Sequence, residues 1–152
     1  MVCISADGKK TGGGSFLKQY QTARIQFMAK QKESNVEWFE DVEEHTFPAA
    51  ESYLSLLYPK VEAERLVAEL RKAELTEFKA KDIFRASQLS LLGVSNSHVE
   101  RDRRKIKKGV PLSPLLLVRD AAHRGVVIAD GYHRLCAVYE FEENCWIRCK
   151  IV

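Results

Sequence analysis

The sequence predicts an α+β domain, in which a small mixed β-sheet with helices is preceded by an N-terminal helical segment packed on it. Three observations predict it. Apolar residues recur at helical spacing through the first half, and apolar runs of strand length occupy the second half at "PLLLVRD", "VVIAD" and "CWIRCKIV". A glycine turn then leads from the second of those runs directly into the helix-like "YHRLCAVYEF". With 152 residues, 45% of them hydrophobic, the chain is long enough to bury one core.

The elements follow in order. "GKKTGGGS" invites a phosphate-loop reading, but such a loop needs its Lys and Ser/Thr after the last glycine and a strand before it, so residues 1–14 are expected to be a flexible arm. Ser15 caps a helix expected to about Lys32, with Phe16, Tyr20, Ala23 and Phe27 on one stripe. Pro48 admits a short helix through "AAESYLSLLY" that Pro59 stops, and "KVEAERLVAELRKA" places Ala63, Leu66, Val67 and Leu70 on one face. These helices form an extension over 15–74, and an α/β domain over 75–152 completes one compact unit with it. That domain begins with the strand "LTEFKA". Asp82 then caps the short helix "IFRASQ", and a Ser97 to Glu100 capping box opens a helix that Gly109 and Pro111 close. The strands "PLLLVRD" and "VVIAD", joined by the turn "AAHRG", precede the helix from Tyr132, and "CWIRCKIV" ends the order.

Composition narrows function only slightly. The formal charge is +3, from 24 basic and 21 acidic residues, so only a local cluster argues for a polyanionic partner. No apolar segment approaches the roughly 20 residues that cross a bilayer, and "MVCISADGKK" lacks a basic region followed by an apolar stretch, so a cytoplasmic chain without a membrane partner is expected. Cys3, Cys136, Cys145 and Cys149 form no CxxC pair. Cys145 and Cys149 lie about 13 Å apart along a strand, too far for one disulfide or one shared metal. Reduced core thiols are expected, with neither zinc nor haem.

Chemistry points first to "IADGYHRLCAVY". A strand that ends in a glycine turn and feeds a helix presents unpaired N–H groups, with their partial positive charge, at the edge of the sheet. His133 and Arg134 fall in the first helical turn, where a cation is disfavoured unless something negative is bound nearby. Arg134 can grip a phosphate through two parallel bonds, and His133 can donate to an oxygen or move a proton. Gly131 would admit a ligand close to the backbone, and Asp130 could orient His133 or hold a metal. The plain alternative is that Asp130 caps the helix, Gly131 supplies an unusual φ, and His133 and Arg134 face water.

At these residues the chain resembles the ParB/sulfiredoxin-like fold, whose signature is an apolar strand ending in a G-x-H/R-R-x-x-A turn and helix; here it reads "IADGYHRLCA". The preceding "KIKKGVPLSPLLLVRD" is similar to that family's basic helix, Gly, Pro and apolar strand, and the likeness runs from "LTEFKAKDIF" to Val152. The resemblance implies Gly131, Tyr132, His133 and Arg134 as phosphate or nucleotide contacts. His133 and Asp130 are then the candidate catalytic pair, and Mg²⁺ arrives with the nucleotide. Tyr132 stands where sulfiredoxins have their reactive cysteine, so sulfinic acid reduction is not expected. Nor is ParB-type operator binding, since no helix-turn-helix domain follows the final strand.

A second candidate is the helix after Ser97. At about 100° per residue, Val99 and Ile106 point to one side and Arg101, Arg104, Lys105 and Lys108 to the other. This basic ridge is either a solvated face or a contact for phosphates or nucleic acid. Asn96 and His98 at its start are candidates for the same cleft. His45 and His123 read as loop histidines, and Glu40, Asp41, Glu43 and Glu44 as a solvated charge run whose rival is a metal ligand or base. The expected function is binding of a nucleotide or other phosphorylated ligand at "DGYHR", open to hydrolysis or phosphoryl transfer. The alternative is a DNA-binding module, ParB-like and open to nuclease chemistry, that uses the basic helix. A partner-binding protein that has lost the chemistry is a third class.

Overall fold

A computed structural model describes residues 36–93 and 95–152, so the arm over 1–14 and the helix expected from Ser15 lie outside the described residues. The described part belongs to one compact unit, Ser34–Val152. Its order is α1 (Thr46–Leu57), α2 (Lys60–Lys72), β1 (Thr76–Lys79), α3 (Ala80–Ser87), α4 (Ser97–Lys107), β2 (Leu115–Asp120), β3 (Gly125–Asp130), α5 (Tyr132–Phe141) and β4 (Trp146–Ile151). The fold is α+β, as expected. The four strands form one mixed sheet in the order β1-β4-β2-β3, antiparallel at both ends and parallel between β4 and β2.

Both faces of this sheet are covered, which explains why β2 reads as an unbroken apolar run instead of an alternating one. Leu115 and Leu117 join Ile128, Ile147 and Cys149 on the face packed by α3, α4 and α5. Leu116 and Val118, pointing the other way, meet Ala50, Leu54, Leu66 and Leu70 of α1 and α2, so these N-terminal helices are packed on the sheet. Each fully buried leucine contributes about 1.5–3 kcal/mol relative to exposure. Cys136, Cys145 and Cys149 are buried and outside any disulfide. Burial pushes the Cys149 thiol up to about 12, which makes it a packing group with no thiolate at neutral pH.

Three helix starts differ from the sequence reading, the first being α1, which begins at Thr46, two residues before Pro48. Asn96, not Ser97, caps α4: its backbone is extended, and its Oδ1 accepts from His98 N (3.0 Å) and Val99 N (3.3 Å). Helix α3 begins two residues before Asp82. Its first N–H groups, at Ala80 and Lys81, donate to the carbonyls of Cys145 (2.9 Å) and Glu143 (3.0 Å), so no side-chain cap is needed. Asp82 pairs with Arg85 at 3.2 Å.

The segment before α1 is tied across the molecule. Trp38 bridges Leu112 in parallel, Phe39 N donates to Leu112 O, and Glu43 N donates to the Ser113 hydroxyl. Asp41 reaches Lys150 Nζ at 3.0 Å, and the Val42 N–H followed by Lys150 holds the Asp41 carboxyl below its usual range. This strap carries Glu43, His45 and Thr46 to the mouth of α5.

Candidate functional site

Gly131 makes the turn between β3 and α5 with φ +104°, a conformation that side chains resist. A Cβ there would stand 2.6 Å from Leu115 Cγ and 3.0 Å from Arg134 Nη2. Helix α5 then starts bare. Unlike α3 and α4, it has neither a side-chain cap nor borrowed carbonyls, and its first backbone bond is Leu135 N–H to Gly131 O at 2.9 Å. The N–H groups of Tyr132, His133 and Arg134 are therefore those that a helix start leaves without intrahelical partners.

Gly131, His133 and Arg134 of this turn line a cavity of about 190 Å³. Arg101 and Lys105 of α4 reach it from one side, and Glu43, His45 and Thr46 of the strap reach it from the other. Ser113, Asp130, His133 and Arg134 complete the wall together with the nearly buried Asp102. Thr46 is 1% exposed, and its hydroxyl has no hydrogen-bond partner among the described residues. A buried polar group left unmatched costs about 1–3 kcal/mol.

Arg134 is placed differently from the expectation. Its guanidinium folds back over Gly131, where Nη2 pairs with Asp130 Oδ2 and Nη1 donates to Ser113 O at 3.0 Å. Two of its five N–H donors are thus committed, and its charge is offset by Asp130. Among the described residues no hydrogen bond joins Asp130 to His133, and Asp130 Oδ2 is taken up by Arg134. Arg134 thereby shapes the mouth of the cavity, which Arg101 and Lys105 also line.

The remaining candidates separate clearly. Tyr132 is not among the residues that line the cavity: its ring packs against the core and its hydroxyl donates to Ser90 O. Arg104 is paired with Glu100 at 3.2 Å, and Lys108 is the C-cap of α4, so the basic ridge splits into a cavity flank and an outer flank. Asn96 is occupied as a cap. His98 stands beside the site with its ring 4.9 Å from that of His133. His45, Thr46, Ser113 and Asp102 were not legible as site residues, and Glu43 was read first as part of a solvated run, because the strap that carries His45, Thr46 and Glu43 takes a path set by long-range pairing. Of the acidic run, Asp41 and Glu44 are held in ion pairs with Lys150 and Arg71.

Burial, and then the neighbouring His98, holds the His133 imidazole below its ordinary 6.5, while Asp102 and Asp130 work in the opposite sense. The neutral ring is therefore the resting form at pH 7. Folding stability from this group is fully present above about 6.5, the unfolded value, and is lost as pH falls through the lower folded value. A bound anion reverses the preference and draws a proton onto the ring. Anion affinity should thus rise on acidification from pH 7.5 to about pH 6, and His133→Gln should remove that slope. Sulfate, which does not titrate there, is the probe, and an unchanged slope in the variant would remove His133 from the site.

The formal charges around the cavity balance, with Arg101, Lys105 and Arg134 against Glu43, Asp102 and Asp130. Among the described residues no group of three or more His, Cys, Asp or Glu side chains is arranged to hold a metal. No helix among the described residues is long and apolar enough to cross a membrane. A scan of family models gives no match to this chain, and searches of curated proteins and of solved structures likewise find none.

Proposed function

We propose that this protein is a ParB/sulfiredoxin-like domain that binds the phosphorylated end of a nucleotide or other small phosphoester at the start of α5. One observation carries this reading: Gly131, His133 and Arg134 of an uncapped helix start line one cavity together with Arg101 and Lys105. A phosphate group supplies acceptors for each of these donors. The volume of about 190 Å³ suits a phosphate with part of its ester. A larger nucleotide would extend over the exposed strap. His133, neutral and at the same cavity, is the group able to take a proton from an attacking water or hydroxyl if the ligand is hydrolysed or transferred.

The division of the basic ridge favours a compact ligand over a polymer. A DNA-binding surface would use all four cations, whereas Arg104 is committed to Glu100 and the lining cations Arg101 and Lys105 both lie 3.9 Å from Asp102 of the same helix. The two readings differ in their salt response. Thermal melting with phosphate, sugar phosphates, nucleotides and short DNA, each with and without Mg²⁺, should show a gain of about 2.7 kcal/mol at a hundredfold excess of a small phosphoester over its Kd, with little dependence on salt. Arg101→Ala should weaken that ligand about tenfold without loss of fold, since the side chain is 63% exposed. Stabilisation by DNA alone, with affinity that collapses as salt rises, would favour the polymer instead.

A further inference from the structure

The geometry points to a second binding site, independent of the first, for a small amphipathic carboxylate with an apolar body and one anionic end. It lies at the opposite end of β2 from Ser113. There α3, only eight residues long, is the helix that reaches over the sheet, and a cavity of about 470 Å³ remains beneath it. Its walls are Phe78 of β1, Ile83 and Ala86 of α3, Leu117 of β2, Val126 of β3 and Ile151 of β4. The register explains this composition: Leu117 pairs with Ile151 on one side, and Arg119 with Val126 on the other. Because side chains alternate, Leu117 and Arg119 share a face, so the apolar floor ends in a cation.

Charge at the rim selects the ligand's polar end. The cavity has two carboxylates, and both are engaged: Asp82 with Arg85 at 3.2 Å and Asp120 with His123 at 2.7 Å. Its two arginines, Arg119 and Arg124, make no ion pair among the described residues. Arg124 sits at φ +54° in the β2–β3 turn, a conformation that Gly or Asn adopts at less cost. An apolar chamber within the usual range of about 300–1,000 Å³, with two unengaged guanidiniums at its mouth, fits an apolar body whose carboxylate accepts from them. A neutral body lacks that contact, and a cationic one meets repulsion.

The test compares decanoate, decanol and decyltrimethylammonium below their aggregation limits, by methyl-resolved NMR titration of the full chain. Decanoate should shift Leu117, Val126 and Ile151 and bind at least tenfold more tightly than decanol, with the ammonium weakest. The exposed-site double variant Arg119→Gln/Arg124→Asn should bring decanoate to the level of decanol, and Ala86→Phe should block all three by filling the chamber. Saturating phosphate should leave these titrations unchanged, since the first site is separate. Equal affinity for decanoate and decanol, or shifts centred on the exposed Leu56 and Leu57 of α1, would overturn the proposal; if Ala86→Phe does not fold, the arginine variant decides.

Discussion

Gly131→Ala should lower the melting temperature by about 10 °C and abolish anion binding. Two costs combine: an alanine forced to φ +104°, and a methyl group placed 2.6 Å from Leu115 Cγ in a packed core. Together they amount to about 3 kcal/mol, and each kcal/mol shifts a domain of this size by roughly 3–5 °C. Gly109→Ala is the internal control. That glycine also has positive φ, +64°, but nothing lies within 4 Å of where its Cβ would be, so its cost should be about 1 kcal/mol. Equal losses for the two variants would show that crowding at the turn plays no part.

Arg134→Ala should cost about 2–3 kcal/mol and weaken the anion further than Arg101→Ala does. Its guanidinium is 13% exposed and satisfies both Asp130, 28% exposed, and the Ser113 carbonyl; truncation strands both acceptors. Arg134→Lys should recover little, because a single ammonium cannot reproduce the fork that spans the two. The double variant Arg134→Ala/Asp130→Asn should be less damaged than the sum of its parts, with a coupling of about 1–2 kcal/mol by chemical denaturation. Strict additivity would mean that the pair is incidental and that Arg134 acts alone.

Much of the fold was legible because local pattern and burial agree. The run from Leu115 to Val118 had to be a strand covered on both faces, and Pro59, Gly109 and Gly131 marked the boundaries that the helices keep. The helix caps were less legible, since Asn96 and Ser97 are both good caps and only backbone geometry distinguishes them. The site was legible in part. The glycine turn and basic helix announced themselves, but the strap from residues 36 to 46 did not: its contribution depends on pairing with Leu112 and Ser113, some seventy residues distant in sequence. The partnership of Arg134 with Asp130 was hidden for a related reason. An i, i+4 spacing across a glycine turn can place two side chains together or apart, and the left-handed φ of Gly131 brings these two together.

The central claim is that the bare start of α5 receives an oxyanion. The most direct measurement is an amide-resolved NMR titration of the full chain with inorganic phosphate, then with nucleotides and sugar phosphates. The account predicts saturable shifts at the N–H groups of Tyr132, His133 and Arg134, accompanied by Arg101 and Lys105 and strongly reduced in Arg101→Ala. Shifts confined to the outer flank of α4 around Arg104 and Lys108, or no saturable change at Tyr132 and His133 with any of these ligands, would contradict it.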